Sequence, residues 1–473
     1  MRHLARRSGL PLGVLLLALL PFFAGCGGGG SSFDAEKRPS VIFVSLDTLR
    51  RDRCSLYGYE RETTPFLEEL GAKSLVFDRA YATASWTLIS HMTMFCGLYP
   101  AQHKVWEAEA ALAESIPTLT QILSDAGLQT AGVHFPGWLD NRFGFGRGYD
   151  DYRSKKNMGL AKEALDEMVP ALIGQKAFLF VHLFDIHSSS LNQPGAMIYD
   201  TPEPYDRMFD AEAPDVLADM DAKGVFYEIP ETFTPRMREA VGGLYDGGIR
   251  QVDDEIRTWF EQWKRDGLME NAIVIITSDH GEGLALRQDR FAGHGNFFEE
   301  GLCVPLIVHA TPKATAWLEK NRGIDPSQLI GRSDALVSHV DLLPTVLDLL
   351  NIPGRLDYPG TSLLREIPED RFIHARTSDS FVSYKGSEKA TYGHDGALRN
   401  YTDLAENPGE DREAFPLRGP RAQRALEFAA SAFASARALP DPGDAASNGG
   451  LDAGSRAQLS ELGYGAEVGE RDR

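Results

Sequence analysis

Residues 40–52 read "SVIFVSLDTLRRD". The run from Ser40 to Leu46 is almost continuously apolar instead of alternating. A strand of that kind is covered on both faces, as in a parallel sheet sandwiched between helices. Asp47 stands just past its end, at the carboxyl edge where open α/β sheets bind their ligands. A lone Asp after a strand is more often a helix cap than a ligand. Its meaning therefore depends on what other strands bring to the same edge.

Outward from this stretch, strands and helices alternate. "TTPFLEELGAK" has helical spacing, "LVFDRAYA" is strand-like, "IPTLTQILSDAG" is helical up to Gly127, and "QTAGVHF" returns as a strand. "KAFLFVHLF" (176–184) and "NAIVIITSD" (271–279) are two further core strands, separated by a long amphipathic helix over roughly 236–266. "VPLIVHA" and the helix "VDLLPTVLDLLNI" complete the pattern. The alternation predicts a doubly wound, mostly parallel α/β sheet. After about residue 365 the segments "RFIHART", "SFVSYK", "KATYG" and "ALRNYTDL" predict a small antiparallel sheet, followed by the helix "RAQRALEFAASAFASARAL". The expected division is a catalytic domain over 40–365 and a C-terminal α+β subdomain and tail over 366–473.

The first residues read differently. Arg2, Arg6 and Arg7 precede the apolar run "LPLGVLLLALLPFF", then "AGC" and "GGGGSS". A basic segment, a short apolar segment and a small-residue site predict a secretory signal over residues 1–25. Phe23-Ala24-Gly25-Cys26 resembles a bacterial lipobox, with Cys26 the lipidated residue and 26–39 a flexible tether. The expected location is the bacterial cell envelope, membrane-anchored through lipid, with the catalytic domain in the periplasm. Cys54, Cys96 and Cys303 have no framework spacing and read as small buried hydrophobes. The net charge of −20 over 473 residues disfavours a nucleic-acid partner.

Three strand ends carry chemistry-bearing residues: Asp47; Asp185 and His187 in "FVHLFDIH"; and Asp279 and His280 in "ITSDHGEG". Carboxylates and imidazoles at one sheet edge are the donors a divalent metal needs. "SWTLISH" opens a helix, where a hydroxyl either caps or faces an anion. A metal on that hydroxyl would make it a nucleophile at neutral pH.

The blocks "VIFVSLDTLRRDRCSLYGY", "FDRAYATASWTLISHMTMFCGLYPAQH", "LYDGGIRQVDDEI", "ITSDHGEG", "GHGNFFEEGLCVPLIV" and "SHVDLLPTVLDLL", with "YTDLAENPGED" and "LSELGYG" near the end, resemble the sulfatase family of the alkaline phosphatase superfamily. The resemblance implies an alkaline phosphatase-like fold and a metal-dependent hydrolase. It implies metal ligands at Asp47, Thr87, Asp279 and His280. It places His187 at the leaving-group oxygen, with Asp185 as orienter or second-site ligand. His294 falls where sulfatases place a sulfate-binding Lys, to bind an ester oxygen or join Asp185 and His187 in a second metal site.

Departures from the family pattern bear on the reaction. Thr48 replaces a usual second Asp. Asp279-His280 replaces the common Asp-Asn and favours Zn²⁺ or Mn²⁺ over Ca²⁺. Counting back ten residues from Gly97 puts Thr87, not Cys or Ser, at the formylglycine position, and His91 at the substrate-facing Arg. No formylglycine is expected, because the threonine β-carbon already carries a methyl group. The expectation is phosphoester or phosphonoester hydrolysis, or phospho-group transfer, through Thr87. The alternatives are a sulfuric ester hydrolase lacking formylglycine and a non-catalytic lipoprotein binding an anionic glycan. The partner is a phosphorylated or sulfated small molecule, lipid or glycan. Ser85 is the rival nucleophile, and Cys96 is expected only to pack.

Overall fold

The computed structural model describes residues 38–188, 197–218, 233–284, 287, 293–376, 380–411, 417–443 and 445–447. The signal segment, Cys26 with its tether up to residue 37, and "LSELGYG" lie outside these. Strand β1 (Ser40–Leu46) is buried along its whole length. It lies between two parallel neighbours, β6 (Ala177–Leu183) and β7 (Ala272–Thr277). Its alternate side chains enter two cores: Val41 and Phe43 on one face of the sheet, Ile42, Val44 and Leu46 on the other. That two-sided burial is why the run is continuous rather than alternating.

The main sheet has eight strands in the order β5-β4-β6-β1-β7-β8-β2-β9. The remaining members are β2 (Leu75–Tyr81), β4 (Gln129–His134), β5 (Asp151–Ser154), β8 (Cys303–Ala310) and β9 (Gly331–Ser338), and a two-residue β3 (Ala110–Ala111) stands apart. The mostly parallel, doubly wound reading holds, but β8 runs antiparallel to both β7 and β2. Among the described residues of the connection from β7 to β8 no crossover helix stands, and the short helical turn Glu299–Leu302 leads into β8, which runs back along β7. Strands β5 and β9 were not legible because they are edge strands with polar sequences, "DYRS" and "GRSDALVS".

The helices pack on both faces: α1 (Pro65–Gly71), α2 (Thr87–Cys96), α3 (Leu119–Asp125), α4 (Met158–Leu172), α5 (Pro235–Asp266), α6 (Pro312–Arg322) and α7 (Leu342–Leu350). Every residue of α2 is buried. It ends at Gly97, at φ +69°, where an added Cβ would lie 2.9 Å from Tyr358 and 3.2 Å from Leu343. Helix α5 explains the block "LYDGGIRQVDDEI". Asp246 takes Arg61 at 2.7 Å and Tyr59 at 2.7 Å, and Asp253 accepts the Phe66 and Leu67 amides at the start of α1, at 2.7 and 3.0 Å. No helix among the described residues is long and apolar enough to cross a membrane.

Burial pushes the Asp253 carboxyl up to about 7, against the pull of those two amides. The folded chain thus holds this proton more tightly than the unfolded one. Its stabilising contribution is full below about pH 4 and is lost as pH rises to 7. Asp253→Asn is expected to flatten the pH dependence of the urea midpoint across that window; an unchanged slope would remove Asp253 as its source.

The C-terminal segments form an antiparallel sheet, β10 (Ile373–Arg376), β11 (Ser380–Lys385), β12 (Glu388–Gly393) and β13 (Leu398–Asp403), as expected. Ile373, Ala375, Val382 and Tyr384 join the core of the main sheet. Ala390, Tyr392 and Tyr401 pack instead on helix α8 (Pro420–Arg437) through Phe428 and Ala432. A two-residue β14 (Ala446–Ser447) pairs with β3.

Candidate active site

The carboxyl ends of β1, β6 and β7 are adjacent, so the segments after them meet. Asp47 is fully buried directly after β1. The next residue, Thr48, is held at φ +56°, a left-handed conformation costly for a β-branched residue, of order 1–3 kcal/mol. Its hydroxyl donates to the Asp47 carbonyl at 2.8 Å, its N–H donates to Asp279 Oδ1 at 3.1 Å, and Tyr245 donates to its carbonyl at 2.6 Å. Thr48 therefore orients its neighbours through its backbone, and its side chain does not replace the second Asp of the family pattern.

After β7, Asp279 Oδ1 also accepts the His280 amide at 2.8 Å. His280 Nδ1 donates to the Gly281 carbonyl at 2.9 Å, so in the neutral ring the lone pair is on Nε2. Gly281 has no room for a side chain: a Cβ would lie 1.9 Å from the Glu300 carbonyl oxygen. Thr87 is the first residue of α2, and its Oγ1 lies 3.4 Å from Asp47 Oδ2 and 3.4 Å from His280 Nε2. The hydroxyl thus faces both donors and sits at the positive end of the helix dipole.

Asp47, Asp279 and Glu282 are all 0% exposed. Burial raises all three carboxyls, Glu282 to about 8, and the charges of Asp279 and Glu282 push Asp47 up further. Asp47 Oδ1 and Asp279 Oδ2 are buried without a hydrogen-bond partner. Ligand atoms of Asp47, Asp279 and His280 all lie within 4.8 Å of one another. Hard oxygens and one imidazole, two orphaned carboxylate atoms and uncompensated negative charge fit a divalent cation.

The other predicted residues divide. His187, after β6, stacks on Phe184 at 4.1 Å and donates from Nδ1 to the Ser188 carbonyl at 2.6 Å. The His294 ring lies 4.7 Å from that of His280 and 5.2 Å from that of His187, so the three imidazoles form a row that reaches Thr87 through His280. Burial depresses His280 to about 4, and His187 and His294 are also lowered, first by burial and then by neighbouring imidazoles.

Asp185 departs from expectation. Its Oδ1 accepts the Met158 amide at 3.1 Å, at the start of α4, and no candidate metal group among the described residues joins it to His187 and His294. A helix start has claimed the carboxylate. His91 departs too. It is 0% exposed beneath Thr87, with Nδ1 on the Thr87 carbonyl at 2.9 Å and Nε2 on Ser45 Oγ at 2.9 Å, so it faces no substrate. Ser85 Oγ is buried and unpartnered, and Cys96 is core, as expected.

Two site residues escaped the sequence reading. His182, inside β6, donates from Nε2 to Asp47 Oδ2 at 2.9 Å. Glu282 accepts the Ser188 amide at 3.2 Å. A polar residue within "FLFVHLF" was the available signal for the first, and the acid in "DHGEG" for the second.

Comparison with known proteins gives the family and the fold. The family model Sulfatase matches residues 39–352. Delta 4,5-hexuronate-2-O-sulfatase of Bacteroides thetaiotaomicron is 24% identical over 372 residues, covering 71% of this chain and 73% of that protein. Phosphatidylethanolamine transferase Mcr-1 of Escherichia coli is 22% identical over 353 residues, covering 70% of this chain and 57% of that one. Among solved structures, the phosphonate monoester hydrolase of Agrobacterium radiobacter superposes with a TM-score of 0.65 at 17% identity, covering 85% of this chain and 96% of that one, and so shares the fold. With a family model matched over 314 of its 473 residues, the chain belongs to the sulfatase family and is an enzyme of the sulfatase/alkaline phosphatase superfamily.

Proposed function

We propose that this enzyme cleaves phosphoesters or phosphonoesters, by hydrolysis or phospho-group transfer, through a covalent intermediate on Thr87. One observation carries the reading: at the formylglycine position stands a threonine whose hydroxyl lies 3.4 Å from both Asp47 and His280. A secondary alcohol cannot give the aldehyde of formylglycine, yet it is a competent nucleophile once acidified. Asp47, Asp279, His280 and the Thr87 oxygen would hold a divalent cation (Zn²⁺ or Mn²⁺ ahead of Ca²⁺), which when bound would supply that acidification and offset the charge of the ester oxygens.

The chain's own groups do the rest. The Thr87 proton passes to solvent, Thr87 Oγ1 bonds to phosphorus, and the ester P–O bond breaks in line. The amides at the start of α2 receive the equatorial oxygens. His187, its Nδ1 proton tied to Ser188, offers the lone pair at Nε2: it takes up the proton Thr87 releases to solvent and hands it to the leaving oxygen, then takes a proton from the water or alcohol that releases the product. His294 flanks the same oxygens.

The test compares the 4-nitrophenyl phosphodiester, phosphonate monoester and sulfate ester, before and after chelation. Phosphorus esters are expected to turn over faster than the sulfate, and chelation to lower the rate by roughly three decades until Mn²⁺ or Zn²⁺ is restored. Faster sulfate turnover would replace this reading with that of a sulfuric ester hydrolase lacking formylglycine.

We also propose that lipid on Cys26 holds the domain at the cell envelope, outside the cytoplasm. The reading rests on the lipobox-like Phe23-Ala24-Gly25-Cys26 and the Gly/Ser run after it. Incorporation of labelled palmitate by the wild type but not by Cys26→Ser is the expected result.

A further inference from the structure

We infer that His182 is a positioning residue that aims the Asp47 carboxylate at the cation. The inference rests on the reading of Asp47 as a metal ligand. His182 lies on β6 opposite Ser45 of β1, two residues before Asp47, and its ring is buried. The Phe135 amide donates to its Nδ1 at 3.3 Å. An N–H donor there requires a lone pair on Nδ1, so the ring is neutral and its one proton sits on Nε2. That nitrogen is 2.9 Å from Asp47 Oδ2. The tautomer is thus set by backbone, and Asp47 Oδ2 receives His182 as its shorter donor, at 2.9 Å against 3.4 Å for the Thr87 hydroxyl.

The other oxygen, Asp47 Oδ1, is buried and accepts no hydrogen bond. With Oδ2 pinned by His182, rotation of the carboxylate is stopped with Oδ1 left to the cation, the arrangement by which outer groups raise metal affinity. Phe135, which locks the tautomer, also stacks on Phe184 at 4.0 Å, and Phe184 stacks on His187 at 4.1 Å. One segment after β4 therefore braces both the ligand side and the leaving-group side of the site.

His91, His182 and Asp279 also lie close enough to share a cation. The ring nitrogens argue against that use. Those of His91 are engaged by Thr87 and Ser45, and those of His182 by Phe135 and Asp47. A metal there would have to displace a hydrogen bond at each of the two rings, so the pair serves as support.

The test measures Mn²⁺ binding by calorimetry on the chelator-stripped full chain, with thermal unfolding of each metal-free protein alongside. His182→Leu is expected to weaken Mn²⁺ binding by about 10–100-fold. His182→Gln, whose amide reaches the position of Nε2, is expected to recover most of it. Wild-type affinity in His182→Leu overturns the proposal, as does equal loss in both variants, which would mark a role in packing alone. Asp47→Asn separates the two levels. If it binds Mn²⁺ as well as wild type, the ligand assignment falls; if it loses binding while His182→Leu keeps it, only the positioning role falls.

Discussion

Thr87→Ala is expected to lose at least three decades in kcat on the best phosphorus ester, about 4 kcal/mol of transition-state stabilisation. The protein should still fold, because Thr87 is the first residue of α2 and alanine is well tolerated in a helix. The lost group is the hydroxyl 3.4 Å from Asp47 and His280, and no neighbour stands where it stands. Thr87→Ser keeps an oxygen on the same carbon and is expected to retain turnover. Ser85→Ala tests the rival: Ser85 Oγ is buried and unpartnered, and its removal should leave the rate near wild type. Quenching wild type during turnover should trap phosphate on the peptide containing Thr87. Undiminished activity in Thr87→Ala would end the nucleophile assignment.

Lys389→Met is expected to destabilise the fold by about 3–5 kcal/mol near pH 7. Lys389, on β12, has a side chain 3% exposed, with Nζ 2.8 Å from Glu410 Oε1 and 3.1 Å from Glu299 Oε1. The Glu410 side chain is 1% exposed, and its other oxygen accepts the Glu299 amide at 2.7 Å. Tyr81 and Tyr384 donate to Glu299 at 2.9 and 3.1 Å. Burial works against the Lys389 charge, but the two glutamates outweigh it and raise its pKa. Methionine keeps the packing and leaves the buried Glu410 with no closer cation than Arg287, 4.0 Å away. Burial already raises the Glu410 carboxyl, and losing its cation raises it further, so the deficit should shrink as pH falls and that carboxyl protonates. Glu410→Gln in the same chain should recover part of the loss. A urea midpoint within about 0.5 kcal/mol of wild type would show the ion pair to be dispensable. Glu299 opens the turn five residues after His294, so this network fastens the C-terminal sheet to the segment that brings His294 to the site.

Much of the fold was readable because burial writes itself into composition. Strands covered on both faces must be continuously apolar, and β1, β6 and β7 are. Edge strands need not be, so β5 and β9 left no pattern. The reversed direction of β8 was invisible because its apolar run is the same in either direction. At the site, Asp47, Thr87, Asp279, His280, His187 and His294 were marked by their places at strand ends, helix starts and family blocks. Asp185 and His91 carried the same kind of mark and were misplaced, since a mark gives a position along the chain and not the partner a side chain finds.

By itself the sequence determined the sheet, its chemical edge, and a threonine ten residues before Gly97 at a helix start, since those follow from residue type and spacing along the chain. Only the tertiary structure decided which groups support which. His182 reaches Asp47 because β6 lies beside β1 in one register, Asp185 turns to the amide of Met158, and Lys389 reaches Glu299 across 90 residues of sequence. Such pairings depend on strand order and on directional hydrogen bonds closed over long loops, which spacing along a chain does not encode.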